Sequence, residues 1–264
     1  MSEITETAVL LRNDKDGIAT LTMNRGNKFN ALSTELMSAL QDQLEAIAED
    51  PAVRVVVIAG NGKAFCAGHD LLEMQKDPSQ EAIHQIFSQC SRLMLTLTRV
   101  PQPIIARIQG VAAAAGCQLV AQCDLAICVE EARFATSGVN LGLFCATPMV
   151  AVTRNLPRKQ AMELLMTGDM IDAPTAKQYG LVNRVVPARQ LDHEIQALAQ
   201  RITCKSAAAV RYGKQLFYTQ LEHGLEAAYE QATEVMTSNM QTHDAQAGIE
   251  AFLNKQDLPD WQDK

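Results

Sequence analysis

Pro103-Ile-Ile-Ala-Arg-Ile-Gln109 runs directly into Gly110-Val-Ala-Ala-Ala-Ala-Gly-Cys-Gln-Leu119, a β-branched run followed by small residues that open a helix. An apolar run without alternation suits a strand covered on both faces. The helix that follows offers unpaired amides and the positive end of its dipole to a developing negative charge. Alone this loop is ambiguous, because Ala/Gly runs also mark tight helix packing.

Moving outward, residues 53–59 and 125–129 repeat the buried-strand pattern, with helical stretches between. Residues 7–13 and 17–23 read as two strands joined by the turn-rich Asp14-Lys15-Asp16-Gly17. Ser33 can cap a helix whose Leu36, Leu40, Leu44 and Ile47 share one face, with Asp50-Pro51 ending it. Alternation of strand and helix indicates an α/β arrangement of similar units. From about Pro187 no strand-like run remains: residues 189–203, 207–221, 225–239 and 245–255 favour helix. Trp261 stands in a polar tail, equally readable as an anchor in a partner's groove and as a surface aromatic.

With 264 residues and 47% apolar content, the chain can bury a sizeable core. A net charge of -7 without a basic run argues against a nucleic-acid partner and for a small molecule. Seven cysteines, none in a C-x-x-C pair, read as reduced core thiols. Residues 1–11 lack the features of a secretory or import signal, and no stretch approaches the roughly 20 apolar residues of a membrane span. The expected home is the cytoplasm, with no membrane partner. His84, His193, His223 and His243 lie apart without ligand spacing, so no metal site is expected.

A second chemistry-bearing loop follows the strand at Val53: Lys63-Ala-Phe-Cys-Ala-Gly-His-Asp-Leu-Leu72. Ala67 and Gly68 let the backbone approach a ligand closely. At His69 the main-chain amide matters more than the imidazole, for which a local hydrogen bond or solvent exposure is expected.

In order and spacing, Phe65–Asp70, the Pro103–Gly110 run and Ala115-Gly-Cys-Gln-Leu-x-x-x-Cys-Asp124 resemble the crotonase (enoyl-CoA hydratase/isomerase) family. Asn30-Ala31-Leu32, Leu164-Leu-Met-Thr-Gly168, Ala173 to Ala176 and Gly180-Leu-Val-Asn-Arg-Val-Val-Pro187 extend the likeness over nearly the whole chain. Gly116-Cys-Gln-Leu119 and Gly138-Val-Asn-Leu-Gly-Leu-Phe-Cys145 point to one subgroup within it. The resemblance implies a ClpP-like spiral of β-β-α units over residues 1–195 and a helical trimerisation region over 196–264, assembled as a homotrimer or dimer of trimers. It implies an acyl-CoA thioester as partner, with coenzyme A part of the substrate and no permanently bound cofactor. The oxyanion-hole amides would be those of His69 and Ala115, the latter tolerable in place of glycine if its backbone angles suit a side chain. Lys28, Ala67, Asp70, Leu71 and Leu72, with His69 and Ala115, would line the CoA.

The two glutamates of the family's hydratases fall at Gln118 and Gly138. A neutral amide can orient water but not take its proton, and glycine offers nothing. The nucleophilic aspartate of the related dehalogenases falls at Ala146. Ser137, Asn140, Cys145 and Thr147 are the nearby polar candidates, none with an evident partner base. The expected function is an enzyme of the hydratase/isomerase type that stabilises a thioester enolate but hydrates poorly. Its rival is a non-catalytic acyl-CoA binder or assembly protein. A Rossmann-like nucleotide protein is weaker, since no G-x-G-x-x-G follows the first strand. Gln118→Glu with Gly138→Glu is expected to raise hydration if the pocket geometry is preserved.

Overall fold

The computed structural model describes residues 8–263. One sheet has six strands in the order β1 (Leu10–Lys15), β2 (Ile18–Met23), β3 (Val55–Gly60), β5 (Ile104–Ile108), β7 (Leu125–Val129) and β10 (Arg184–Val186). Only β1–β2 pairs antiparallel there. A second sheet orders β4 (Ala64–Cys66), β6 (Val111–Ala113), β8 (Arg133–Ala135) and β9 (Ile171–Asp172). Successive turns of chain therefore give one strand to each sheet and then a helix. The first such turn ends in α2 (Leu71–Lys76) and α3 (Gln80–Arg99), the second in α4 (Ala115–Gln122), and the third in α5 (Ala146–Asn155) and α6 (Arg158–Thr167). Between the hairpin and β3 lies α1 (Thr34–Ala48), and α7 (Ala173–Gln178) precedes β10. The chain closes with α8 (Leu191–Thr203), α9 (Ala207–Gln220), α10 (Leu225–Met240) and α11 (His243–Leu253).

The long elements follow from their sequence. Every residue of β3 is buried, and Leu36, Leu40, Leu44 and Ile47 of α1 are fully buried behind a Ser33 cap that accepts the Leu36 amide. The first strand differs: it begins at Leu10 and reaches Lys15, because the turn is only Asp16-Gly17. Both of those residues take positive φ, 52° and 76°, the twist that a two-residue hairpin requires. Thr7, placed in that strand from sequence, lies outside the described residues. The division at 195/196 falls inside α8.

Close backbone packing holds the spiral's turns together. A Cβ at Gly110 would stand 2.0 Å from the Lys63 carbonyl oxygen, and one at Gly116 would stand 2.0 Å from that of Cys66. Glycine at both places lets the second turn lie directly on the first.

The tail resolves the two readings of Trp261 in favour of neither. Its indole Nε1 donates to the Cys204 carbonyl at 2.9 Å, and its ring lies over Gly248. Asp263 accepts the Ala207 amide at 2.7 Å and pairs with Arg54 at 3.2 Å, so the tail is clasped to its own chain. Six of the seven cysteines are buried, as core thiols should be; Cys204, beside the tail, is exposed. Among the described residues no helix is long and apolar enough to cross a membrane.

Candidate active site

The two chemistry-bearing loops meet at Gly68. This residue has φ of 101°, and a Cβ on it would lie 2.9 Å from the Ala114 Cβ and 3.3 Å from the Ala115 nitrogen. Only glycine permits that approach. Leu32 bridges this loop as a short parallel pair: its amide donates to the Gly68 carbonyl at 2.7 Å and its carbonyl accepts the Asp70 amide at 3.1 Å. In such a pair the intervening His69 N–H points the opposite way, and it has no partner among the described residues. The Ala115 amide, first in α4, is likewise unpaired. Two free amides thus lie on either side of the Gly68 contact.

The Ala115 backbone suits a side chain, and the backbone strain falls one residue earlier. Ala115 is helical, whereas Ala114 holds φ 49° and ψ -117°, which costs an alanine about 1–3 kcal/mol. The Ala114 amide donates to the Ala135 carbonyl at 2.8 Å, which anchors the strained residue.

Behind the first loop, Asn30 is fully buried and holds three chain segments. Its Oδ1 accepts the Arg25 amide at 3.0 Å, and its Nδ2 donates to the Asn61 and Ala64 carbonyls at 2.8 and 2.9 Å. Asp70 turns inward as well, pairing with Arg25 at 2.8 Å and accepting the Leu72 amide at 3.2 Å. Burial pushes the Asp70 carboxyl up, but Arg25 together with the Leu72 and Glu73 amides more than offsets it and holds the group below its ordinary value. Asp70 is committed to shaping the loop.

A cavity of about 280 Å³ opens beside the free amides. Of the sequence candidates, Ala67, His69, Leu71, Ala115, Ser137, Gly138, Cys145, Ala146 and Thr147 line it. Lys28 and Leu72 are exposed elsewhere, and Asn140 donates to the Gly168 carbonyl instead. Gln118 is buried behind the wall, with Oε1 lacking any partner. Gly138 is filled against its neighbours: its amide donates to the Cys145 Sγ at 3.3 Å, and a Cβ there would stand 2.4 Å from the Leu143 carbonyl oxygen. The pocket geometry assumed for a glutamate at 138 is therefore absent. Burial raises the Cys145 thiol, with the Gly138 amide offsetting part of that.

Sequence reasoning missed Phe87, Met74, Leu141, Leu143 and Phe144, which supply the large side chains of the apolar wall beside Leu71. Phe87 lies just off the buried stripe of α3 (Ile86, Cys90, Leu93, Met94, Leu97), and an aromatic beside such a stripe was the available signal. It also overturns the expectation for His69. The imidazole neither bonds locally nor sits in solvent: its Nε2 is buried without a partner, and its ring stands at 89° to Phe87, centroids 5.1 Å apart.

The enoyl-CoA hydratase/isomerase family model matches residues 13–264. The chain belongs to the enoyl-CoA hydratase/isomerase family. Among its relatives, the mitochondrial enoyl-CoA hydratase domain-containing protein 3 of Danio rerio is 41% identical over 254 residues, covering 96% of this chain and 88% of that one. The human protein of that name is 41% identical over 246 residues, covering 93% and 81%. The crystal structure of an enoyl-CoA hydratase from Mycobacterium smegmatis superposes with a TM-score of 0.94 at 50% identity, covering 96% of this chain and 98% of that one. That of human enoyl-CoA hydratase domain-containing protein 3 gives 0.92 at 38%, covering 95% and 99%. The fold is thus the family's crotonase spiral with a helical C-terminal region. The subgroup likeness read from Gly116–Leu119 and Gly138–Cys145 is supported by these matches. The cytoplasmic expectation is overturned, since the Danio rerio and human sequence relatives are named as mitochondrial. Residues 1–7, on which that expectation partly rested, lie outside the described residues.

Burial of His69 has a measurable effect on stability. Desolvation lowers its pKa from 6.5 to about 4. Between those values the unfolded chain takes up a proton that the folded chain refuses, so stability falls as pH drops from 6.5 to 4. The loss is expected to reach about 2–3 kcal/mol at pH 4 and to vanish above 6.5. Urea unfolding across this range should show the decline in the wild type and a shallower one in His69→Phe; parallel curves would contradict it.

Proposed function

We propose that the protein binds an acyl-CoA thioester with its carbonyl oxygen between the His69 and Ala115 amides and works on the resulting enolate as a hydratase/isomerase-type enzyme. The observation that carries this reading is the pair of unpartnered amides held together by the Gly68–Ala114 contact. Donors fixed where charge develops are commonly worth about 3 kcal/mol each to an acyl transition state. The cavity supports a neutral, apolar acyl group, because no Asp, Glu, Lys or Arg lines it. With Gln118 behind the wall and glycine at 138, ordinary crotonyl-CoA hydration is expected to be slow. The missing carboxylates equally favour the second reading, a non-catalytic acyl-CoA binder.

The helical end, 196–264 in the proposed division, presents Phe217, Leu225, Tyr229, Met236 and Phe252 to solvent in the single chain. An apolar face of that extent supports burial in a homotrimer or dimer of trimers.

Calorimetric titration with butyryl-CoA and with free CoA tests the site. The thioester is expected to bind more tightly than CoA, and Gly68→Ala to remove roughly tenfold of that affinity by displacing two hydrogen bonds. Equal affinity of wild type and Gly68→Ala for the thioester would separate the amides from binding. Mass spectrometry of an enoyl-CoA panel then divides enzyme from binder.

A further inference from the structure

The residues lining the cavity include two ionisable side chains, His69 and Cys145. The Cys145 sulfur already accepts the Gly138 amide and its thiol is raised, so it is a poor proton acceptor. His69 has the opposite character. Its Nε2 has no partner, and Phe87 packs at right angles against the ring and fixes it. A buried polar atom without a partner is costly and calls for an explanation from function. The imidazole also grows from the residue whose amide faces the thioester oxygen, a few covalent bonds from that amide. A thioester held there has its α-carbon one bond from the carbonyl carbon, in the cavity that the imidazole also lines.

We propose that the His69 imidazole is the base of this site and removes the α-proton of the bound acyl thioester. This rests on the binding mode proposed above. In the step, the α-carbon–hydrogen bond breaks and its electron pair enters the enolate, whose oxygen is held by the two amides. The proton passes to the ring nitrogen, and return of a proton from the imidazolium to the α- or γ-carbon completes exchange or double-bond migration. No oxidant or further reactant is needed. Burial lowers the imidazole to about 4, so at neutral pH it is unprotonated and free to accept a proton. Burial alone sets that value. Of the other titratable groups on the lining elements, Asp70 is paired to Arg25 and Glu73 accepts the Thr34 amide. Lys76 and His84 are exposed on α2 and α3, Arg92 lies farther along α3, and Cys145 stays protonated across the cavity.

The experiment is incubation of the full chain with butyryl-CoA in heavy water, read by mass spectrometry and paired with calorimetry. The wild type is expected to wash deuterium into the α-position, with a rate that falls as pH drops through about 4 rather than 6.5. His69→Phe should bind the thioester but exchange it at least about 100-fold more slowly. If His69→Phe fails to fold, His69→Gln serves, since a neutral amide cannot take the proton. Undiminished exchange in either variant, or binding without exchange in the wild type, overturns His69 as the base and leaves the binding reading standing. No binding of butyryl-CoA overturns that reading itself.

Discussion

Gly138→Glu is expected to break the cavity rather than arm it. The first side-chain carbon would stand 2.4 Å from the Leu143 carbonyl oxygen and 2.8 Å from the Cys145 sulfur. Gly138 also accepts the Leu143 amide at 3.0 Å, so the turn cannot swing aside without releasing residues that form the cavity wall. Gln118→Glu adds a separate penalty, because it would place a carboxylate where the present Oε1 is buried without a partner. The double variant is therefore expected to lose about 3 kcal/mol or more of stability and to hydrate crotonyl-CoA no faster than the wild type. This replaces the gain that the sequence alone suggested. Urea unfolding and the absorbance of the enoyl double bond measure both quantities. A stable double variant that hydrates about 100-fold faster would show that the Leu143 turn yields.

Lys214→Met is expected to cost about 3–5 kcal/mol of folding stability, the usual toll of stranding one half of a buried ion pair. Lys214 on α9 is buried, and its ammonium makes three contacts: the Leu97 and Gln102 carbonyls, each at 2.9 Å, and Asp124 at 2.7 Å. Burial pushes the Lys214 pKa down, and Asp124 restores part of it. Asp124 in turn accepts the Ile104 amide and the Tyr218 hydroxyl, both at 2.6 Å. One lysine thus ties α9 to the end of α3, the entry of β5 and the residue before β7. Replacing it leaves a carboxylate and two carbonyls short of a donor. Chemical unfolding of Lys214→Met beside the wild type decides the matter, and a loss under about 1 kcal/mol would mean that water substitutes for the ammonium.

The buried strands were legible as β-branched apolar runs, α1 from its capped apolar stripe and the four closing helices from their helix-favouring composition. The strands of the second sheet were not. β4, β6 and β8 have three residues each and β9 has two, too short for any alternation to register. The two loops were found from small residues and motif order, but their detail was out of reach. Sequence could not say that the strained residue is Ala114, or that Gln118 stands behind the wall. Nor could it show that Asp70 serves Arg25. Each is set by contacts with another turn of the spiral. Phe87, supplied by α3, belongs to neither motif, and with it the setting of His69 was hidden.

The tail clasp carries a practical consequence. The chain has a single tryptophan, Trp261, and its indole is bonded to the backbone of Cys204, the one exposed cysteine of the seven. A dye attached to that thiol would stand next to the only indole, with no residue changed to install it. Undocking of the last residues would then register as a change in fluorescence quenching, giving this protein an optical reporter at the seam between its tail and its body.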